Sequence, residues 1–540
     1  MARRSRGKGP VFTREATGLV KDASRSQATV WNVVSMMGSK FPWSVARLGL
    51  FPAALVLGFP PYLWAVVLVG IAGYILGIIY VQTTTALPRS GADYVIPSRL
   101  MGPFWGWLQS WMIACSLVPF WGWSAWVTIR NVKQFFDILR LGGLTTISIK
   151  WILTGVPALF AGVFVILAGM AVCFLPAKRY YQVITALGVI ALASLVVMAI
   201  GAALIPQTAF ANNLKSTLGV SSDALLQTAM KYGFDPNRGL DFTSTAALAG
   251  VVMFGMYGFQ SSATISGEIK GNIRNSLLVS ILGCLTLFLA LYVPLVWLFI
   301  TRFQYNLVLA WSYLFWNHAA SAPLTLPPIN ALLLTVAAPN LSPVWALVGL
   351  AAVVGGWLGM PATMLYVNRI VVYWGIDEII PSTISEVSPR FHQPMKVVAI
   401  EGGVGIIFFG ATLLNLNPVN YLWWATLLSA PAFIFPGISA LMLPRKHPEL
   451  MRDVPWRNWL IPLAASWLII IVPFYAFAAF IGSIPTPTPG NSLWQYAMTS
   501  GLGVTMLAIL AGIVIYTVAR TYNIRRGVNV ELIYKTIPPE

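Results

Sequence analysis

The residues of this 540-residue chain best placed to do chemistry are helix breakers in the middle of two apolar runs. One run, ATVWNVVSMMGSKFPWSVARLGLFPAALVL, carries Gly38-Ser39-Lys40-Phe41-Pro42 near its centre. The other, AALAGVVMFGMYGFQSSATISGE, carries Gly250, Gly255 and Gly258, then Ser261 and Ser262. A helix that unwinds in an apolar medium frees backbone N–H and C=O groups, and these can hold a zwitterion. Glycine also lets membrane helices pack closely, so Gly255-x-x-Gly258 reads equally as a helix contact.

Two cations, Lys40 and Arg47, lie inside the first run, seven residues and about two helical turns apart. Lys40 has two readings. It meets a substrate carboxylate or carries a coupling proton at an unwound segment, or the helix begins near Phe41 and the amine snorkels to the interface. Other chemistry is poorly supplied. Cys115, Cys173 and Cys284 fall in or beside apolar runs and read as small buried hydrophobes, and His318, His392 and His447 are scattered in loops. No metal, haem or other cofactor is expected, and no in-span carboxylate pair or Ser/His arrangement supports an enzyme.

These residues must be positioned by membrane helices. Hydrophobic residues make up 57% of the chain and charged residues 9%, well below the quarter usual in soluble domains. Twelve apolar runs are each long enough to cross a hydrocarbon core: 27–57, 61–86, 104–129, 151–173, 182–205, 243–265, 277–301, 342–368, 397–415, 419–443, 459–483 and 493–519. The expected fold is all-α and polytopic, and the bilayer is its first partner. The net charge of +18 comes from loop asymmetry and not from a nucleic-acid surface. With the N-terminus inside, inner segments carry 24 Lys and Arg and outer loops 8, which predicts both termini in the cytoplasm. The first 26 residues, basic and without an apolar core, do not read as a secretory signal. The segment from Arg302 to Asn340 is expected to form short helices over an outer vestibule.

Several motifs, in order, resemble the amino acid, polyamine and organocation (APC) permeases. ALPRSGADY, from Ala86 to Tyr94, is similar to that family's loop between helices 2 and 3, with Pro88, Arg89, Ser90 and Gly91 as its signature. Val20-Lys-Asp-Ala-Ser24, Ala28 and Asn32 resemble the start of helix 1. Phe254, Gly258, Phe259, Gly267, Glu268 and Lys270 resemble a broken sixth helix and the loop behind it. Asn368-Arg369 through Pro381, then Val387-Ser-Pro-Arg-Phe391, resemble the exit of helix 8 and its inner loop.

The resemblance implies ten core helices in an inverted 5+5 repeat of LeuT type, with discontinuous helices 1 and 6, plus two further helices. The expected organisation is an inner segment 1–26, a first repeat 27–205, an outer loop 206–242, a second repeat 243–443, helices 11 and 12 over 444–519, and an inner tail 520–540. It also implies a secondary transporter of an amino acid or related small molecule in the plasma membrane, coupled to H⁺ or working by exchange. Met37, Gly38, Ser39 and Lys40, with Phe254, Gly255, Tyr257 and Gly258, form the expected substrate-binding set. Phe254, Tyr257 and Phe259 are candidate gates, and Lys40 the candidate for coupling.

Departures from the family pattern narrow this. Lys40 stands where Gly-Ser-Gly is common, although Gly49-x-Phe51-Pro52 matches the same pattern in another register. Gly188 falls where some relatives carry a lysine in place of sodium. Val353 to Pro361 holds no Ser or Thr, so Na⁺ coupling is disfavoured. The 16 acidic residues fall in loops or at span ends, with Glu268 and Glu401 nearest lipid depth, so no carboxylate is placed to pair a polyamine. Neutral or acidic amino acids are favoured over amines. A sensor built on the same fold is the other reading, and no repeated filter motif supports a channel.

Overall fold

The computed structural model describes residues 18–37, 61–237, 242–318, 321–324, 328–414, 418–483, 501–527 and Tyr534. Described residues are overwhelmingly helical, and an isolated parallel bridge joins Ala23 and Ile269. Among the described residues, ten helices are long and apolar enough to cross a membrane. The sixth predicted span, which carries a glycine cluster, is not among these ten, and most of the first predicted span lies outside the described residues.

α1 (Arg25–Met37) precedes α2 (Pro61–Ala86), whose limits match the second predicted span. The short α3 (Ala92–Leu100) leads to α4 (Pro103–Leu141), and α5 (Gly155–Cys173) and α6 (Ala177–Leu204) follow. α7 (Ala209–Leu218) and α8 (Ser222–Lys231) fold within the segment expected as a loop, and the Ser221 side chain caps α8 by accepting the Ala224 N–H. Next come α9 (Phe242–Met256), α10 (Ser261–Thr264), α11 (Ile273–Leu277) and α12 (Cys284–Arg302). A π-helical stretch, Leu278–Gly283, joins the last two into one span. α13 (Tyr305–Asn317) and α14 (Asn330–Ala337) are short helices in the region where such helices were expected. The remainder is α15 (Ser342–Ile376), α16 (Ser382–Ser385), α17 (Met395–Leu413), α18 (Pro418–Ala432), α19 (Ile434–Lys446), α20 (Arg457–Ser466), α21 (Val472–Ser483) and α22 (Gly501–Arg525).

α4 and α15 pack along each other at the centre, with α1, α5, α6, α17 and α18 around them. Both run past their predicted ends, by about three turns in α4 and two in α15. The charged residues of these added turns have partners on the helix itself or on a neighbour. In α4, Lys133 is paired with Asp137 one turn on, and Arg130 lies over the Trp126 ring at 4.0 Å. In α15, the charge that ended the apolar run is Arg369, which is paired inside the bundle.

α17 packs on α4 and α5 and carries Glu401, which is buried with neither carboxyl oxygen hydrogen-bonded to a described residue. An unmade hydrogen bond at a buried polar group costs about 1–3 kcal/mol. Glu401→Met is therefore expected to raise the thermal midpoint of the protein in detergent, and a fall on this substitution would contradict the reading.

Candidate functional site

The sixth predicted span is interrupted where its glycines cluster. α9 stops at Met256, residues Tyr257 to Gln260 form a turn, and α10 resumes for one turn before a 3₁₀ stretch at Ser266–Glu268. Gly258 has φ +124°, and a Cβ there would stand 2.9 Å from the Ser35 carbonyl carbon. Only glycine combines that dihedral with so close an approach to backbone. The interruption therefore lies directly on the last turn of α1. Gly250, by contrast, packs on the Ala478 and Ala479 backbone of α21.

Asn32 secures the contact between α1 and the interruption. Its amide donates to Ser262 Oγ (2.9 Å) and the Ser280 carbonyl (2.6 Å), and its Oδ1 accepts the Ser262 N–H (2.7 Å). Ser280 lies within the π-helical stretch, whose wider turn turns that carbonyl toward Asn32. Met36 and Met37 are buried beside this junction at the end of α1, with Met36 Sδ 3.5 Å from Cys284 Sγ. Gly38, Ser39, Lys40 and Arg47 lie outside the described residues.

Tyr257, the first residue past α9, packs edge-on against Phe433 at 5.1 Å, and its hydroxyl is 3.1 Å from that of Tyr366 on α15. Phe433 sits at the break between α18 and α19. Phe259 is buried with its ring beside Gly73 and Gly77 of α2, and Gly255 is buried in the last turn of α9. Phe254 lies in α9, and its side chain falls outside the described set. Gly188 on α6 lies against Val30 and Val34 of α1.

Beyond the interruption the motif loops converge. Gly91, at φ +68°, donates its N–H to the Thr264 carbonyl, and a Cβ there would meet the Tyr373 ring at 2.8 Å. Ser266 Oγ donates to the Arg89 carbonyl at 3.0 Å, and Arg89 bonds the Pro88 carbonyl. Glu268 and Arg369 form a buried bidentate pair, with Nε at 2.6 Å from Oε1 and one Nη at 2.8 Å from Oε2. Tyr181 and Ser90 donate to the same carboxylate, and Arg369 also bonds Gln393. The Ala23–Ile269 bridge ties the segment before α1 to this loop, alongside Lys270 and Asp22 at 3.4 Å. Pro381 stands apart, at the start of α16.

The expectation that no carboxylate sits inside the bundle is corrected. Asp93, Glu268, Asp377 and Glu401 are all buried. The first three were assigned to loops by hydropathy, and those loops fold back between the helix ends. Asp377 is held by Arg99 at 2.5 Å and by the Tyr94 hydroxyl. Asp93 accepts hydrogen bonds from Tyr80, Gln109, Thr264 and Tyr366. Burial pushes the Asp93 carboxyl above the usual carboxylate range, while these four donors pull it down. Asp93 and Asn32 were visible in the sequence as motif letters; nothing in the sequence marked Tyr80, Gln109 or Tyr366.

Such an arrangement, with polar groups gathered at an interrupted helix inside a bundle of membrane-length helices, defines a multi-pass membrane protein with an interhelical site. The chain belongs to the amino acid permease family, whose model matches residues 28–513, about nine-tenths of its length. No curated protein matches it. Members of this family are transporters and not enzymes, in agreement with the motif resemblance.

Proposed function

We propose that this protein is a secondary active transporter that moves an amino acid across the plasma membrane by alternating access, driven by H⁺ or by exchange. The observation that carries the reading is the interruption at Tyr257 to Gln260, seated on the last turn of α1. The two elements come from spans five apart, as expected of an inverted 5+5 repeat with twelve spans and both termini in the cytoplasm. Backbone groups exposed at the interruption suit the ammonium and carboxylate of a zwitterion. Met37, Gly255, Tyr257 and Gly258 border this place, and Gly38, Ser39 and Lys40 follow Met37 in sequence.

Neutral or acidic substrates remain favoured, on a different ground from the sequence argument. Of the buried carboxylates, Glu268 and Asp377 are neutralised by arginines, Asp137 is paired with Lys133, Asp93 is enclosed by four donors, and Glu401 lies among α4, α5 and α17. None is free at the interruption to pair with a second ammonium.

The test is uptake of a labelled amino-acid panel into proteoliposomes under imposed pH or Na⁺ gradients. Uptake of a neutral or acidic amino acid, stimulated by inward H⁺ or by internal substrate, is the expected result. Stimulation by Na⁺ alone would overturn the coupling, and binding without flux would identify a sensor.

A further inference from the structure

Asp93 is 1% exposed on α3 and is met by side chains from four other helices. The Tyr80 hydroxyl of α2 donates at 2.5 Å, Gln109 Nε2 of α4 at 3.1 Å and Thr264 Oγ1 of α10 at 3.4 Å; the Tyr366 hydroxyl of α15 completes the set. No cation pairs with it among the described residues. Arg99, on its own helix, is held by Asp377, and Arg369 by Glu268. Tyr366 is joined in turn to Tyr257 at the interruption. A continuous chain of hydroxyls thus links the candidate substrate site to a buried carboxylate.

We propose that Asp93 binds the proton that drives transport, and that Tyr257 and Tyr366 deliver it from the interruption. This rests on the proton-coupled reading above. A proton arriving at the Tyr257 oxygen displaces that hydroxyl's own proton to Tyr366, whose proton passes to Asp93 Oδ2. Both tyrosines end neutral, and one carboxylate has become one carboxylic acid. The change alters what Asp93 holds together. As an anion it accepts four hydrogen bonds from α2, α4, α10 and α15, and bonds to an ionised acceptor are about twice as strong as neutral ones. As a neutral acid it holds those elements less firmly, so proton binding favours their separation at this end of the bundle.

The groups facing Asp93 support a single proton site. α2 and α15 offer Tyr80 and Tyr366, while α4 and α10 offer the non-titrating Gln109 and Thr264. α19, the remaining helix packed on α3, turns Ser439 to Met101 and carries Arg445 and Lys446 exposed at its C-terminal end. The upward push of burial on Asp93 lets it take a proton at a pH where exposed carboxylates stay ionised, so the response is lost as pH rises through that raised value.

The experiment uses full-length protein and an amino acid that the parent transports. Two quantities are measured: the ratio of pH-gradient-driven uptake to counterflow in proteoliposomes, and the protons taken up on substrate binding in detergent, from calorimetry in buffers of different ionisation enthalpy. Asp93→Asn is expected to lower the ratio at least tenfold and to abolish a proton uptake of about one per protein. Tyr366→Phe, which keeps the ring, is expected to lower the ratio in the same direction. A parent-like ratio or proton count in Asp93→Asn overturns the proposal. So does a parent that transports amino acids without response to a pH gradient, an outcome that leaves the transport reading standing. A parent with no amino-acid flux removes that reading as well.

Discussion

Arg369→Met alone is expected to lower the unfolding free energy by about 3–5 kcal/mol, the usual cost of stranding one member of a buried ion pair. Arg369 and Glu268 are both essentially inaccessible, and the removed guanidinium supplies two of the bonds to that carboxylate. Tyr181 and Ser90 would remain as donors, but at 3.3 and 3.5 Å they cannot replace a bidentate cation. Glu268→Gln strands the opposite charge and is expected to cost a similar amount. The double variant Glu268→Gln, Arg369→Met should recover most of the loss, because neither charge is then buried without a partner. Thermal unfolding in detergent measures all three. A double variant no more stable than the singles would contradict the pairing.

Gly258→Ala is expected to reduce amino-acid uptake at least tenfold and to cost about 1–3 kcal/mol of stability. Two independent constraints act at this residue. Its φ of +124° is one that side-chain-bearing residues rarely adopt, and the added carbon would meet the Ser35 backbone at 2.9 Å. Ser35 cannot yield by a change of rotamer, so the end of α1 must move away from the interruption. Gly403→Ala is the control, because a Cβ there meets nothing within 4 Å. The contrast is read from uptake per folded transporter, and equal uptake by the two variants would remove the close approach from the mechanism.

The helical frame was legible because lipid imposes a strict requirement for apolar length, and the limits of α2 were read to the residue. The ends of α4 and α15 were misread because hydropathy counts Arg130, Lys133 and Arg369 only as charges, whereas in the bundle Arg130 lies over an aromatic ring and the other two are each half of a pair. The same blindness put Asp93, Glu268 and Asp377 outside the bundle. Sequence could locate the break at Gly258, since a glycine cluster in an apolar run has few explanations. It could not reveal that Tyr366, an ordinary aromatic letter in a long helix, joins that break to Asp93. Such a link depends on which helix faces lie together, and one chain's local pattern does not encode that.

The π-helical stretch at Leu278–Gly283 bears on how this chain is aligned with its relatives. One residue more than an α-helical turn requires has been absorbed there, and every side chain of α12 is turned by about 100° from where a regular helix would carry it. A relative without the wide turn should align with a single-residue gap in this stretch. An ungapped alignment across it would assign lipid-facing positions of α12 to the interior, and interior ones to lipid.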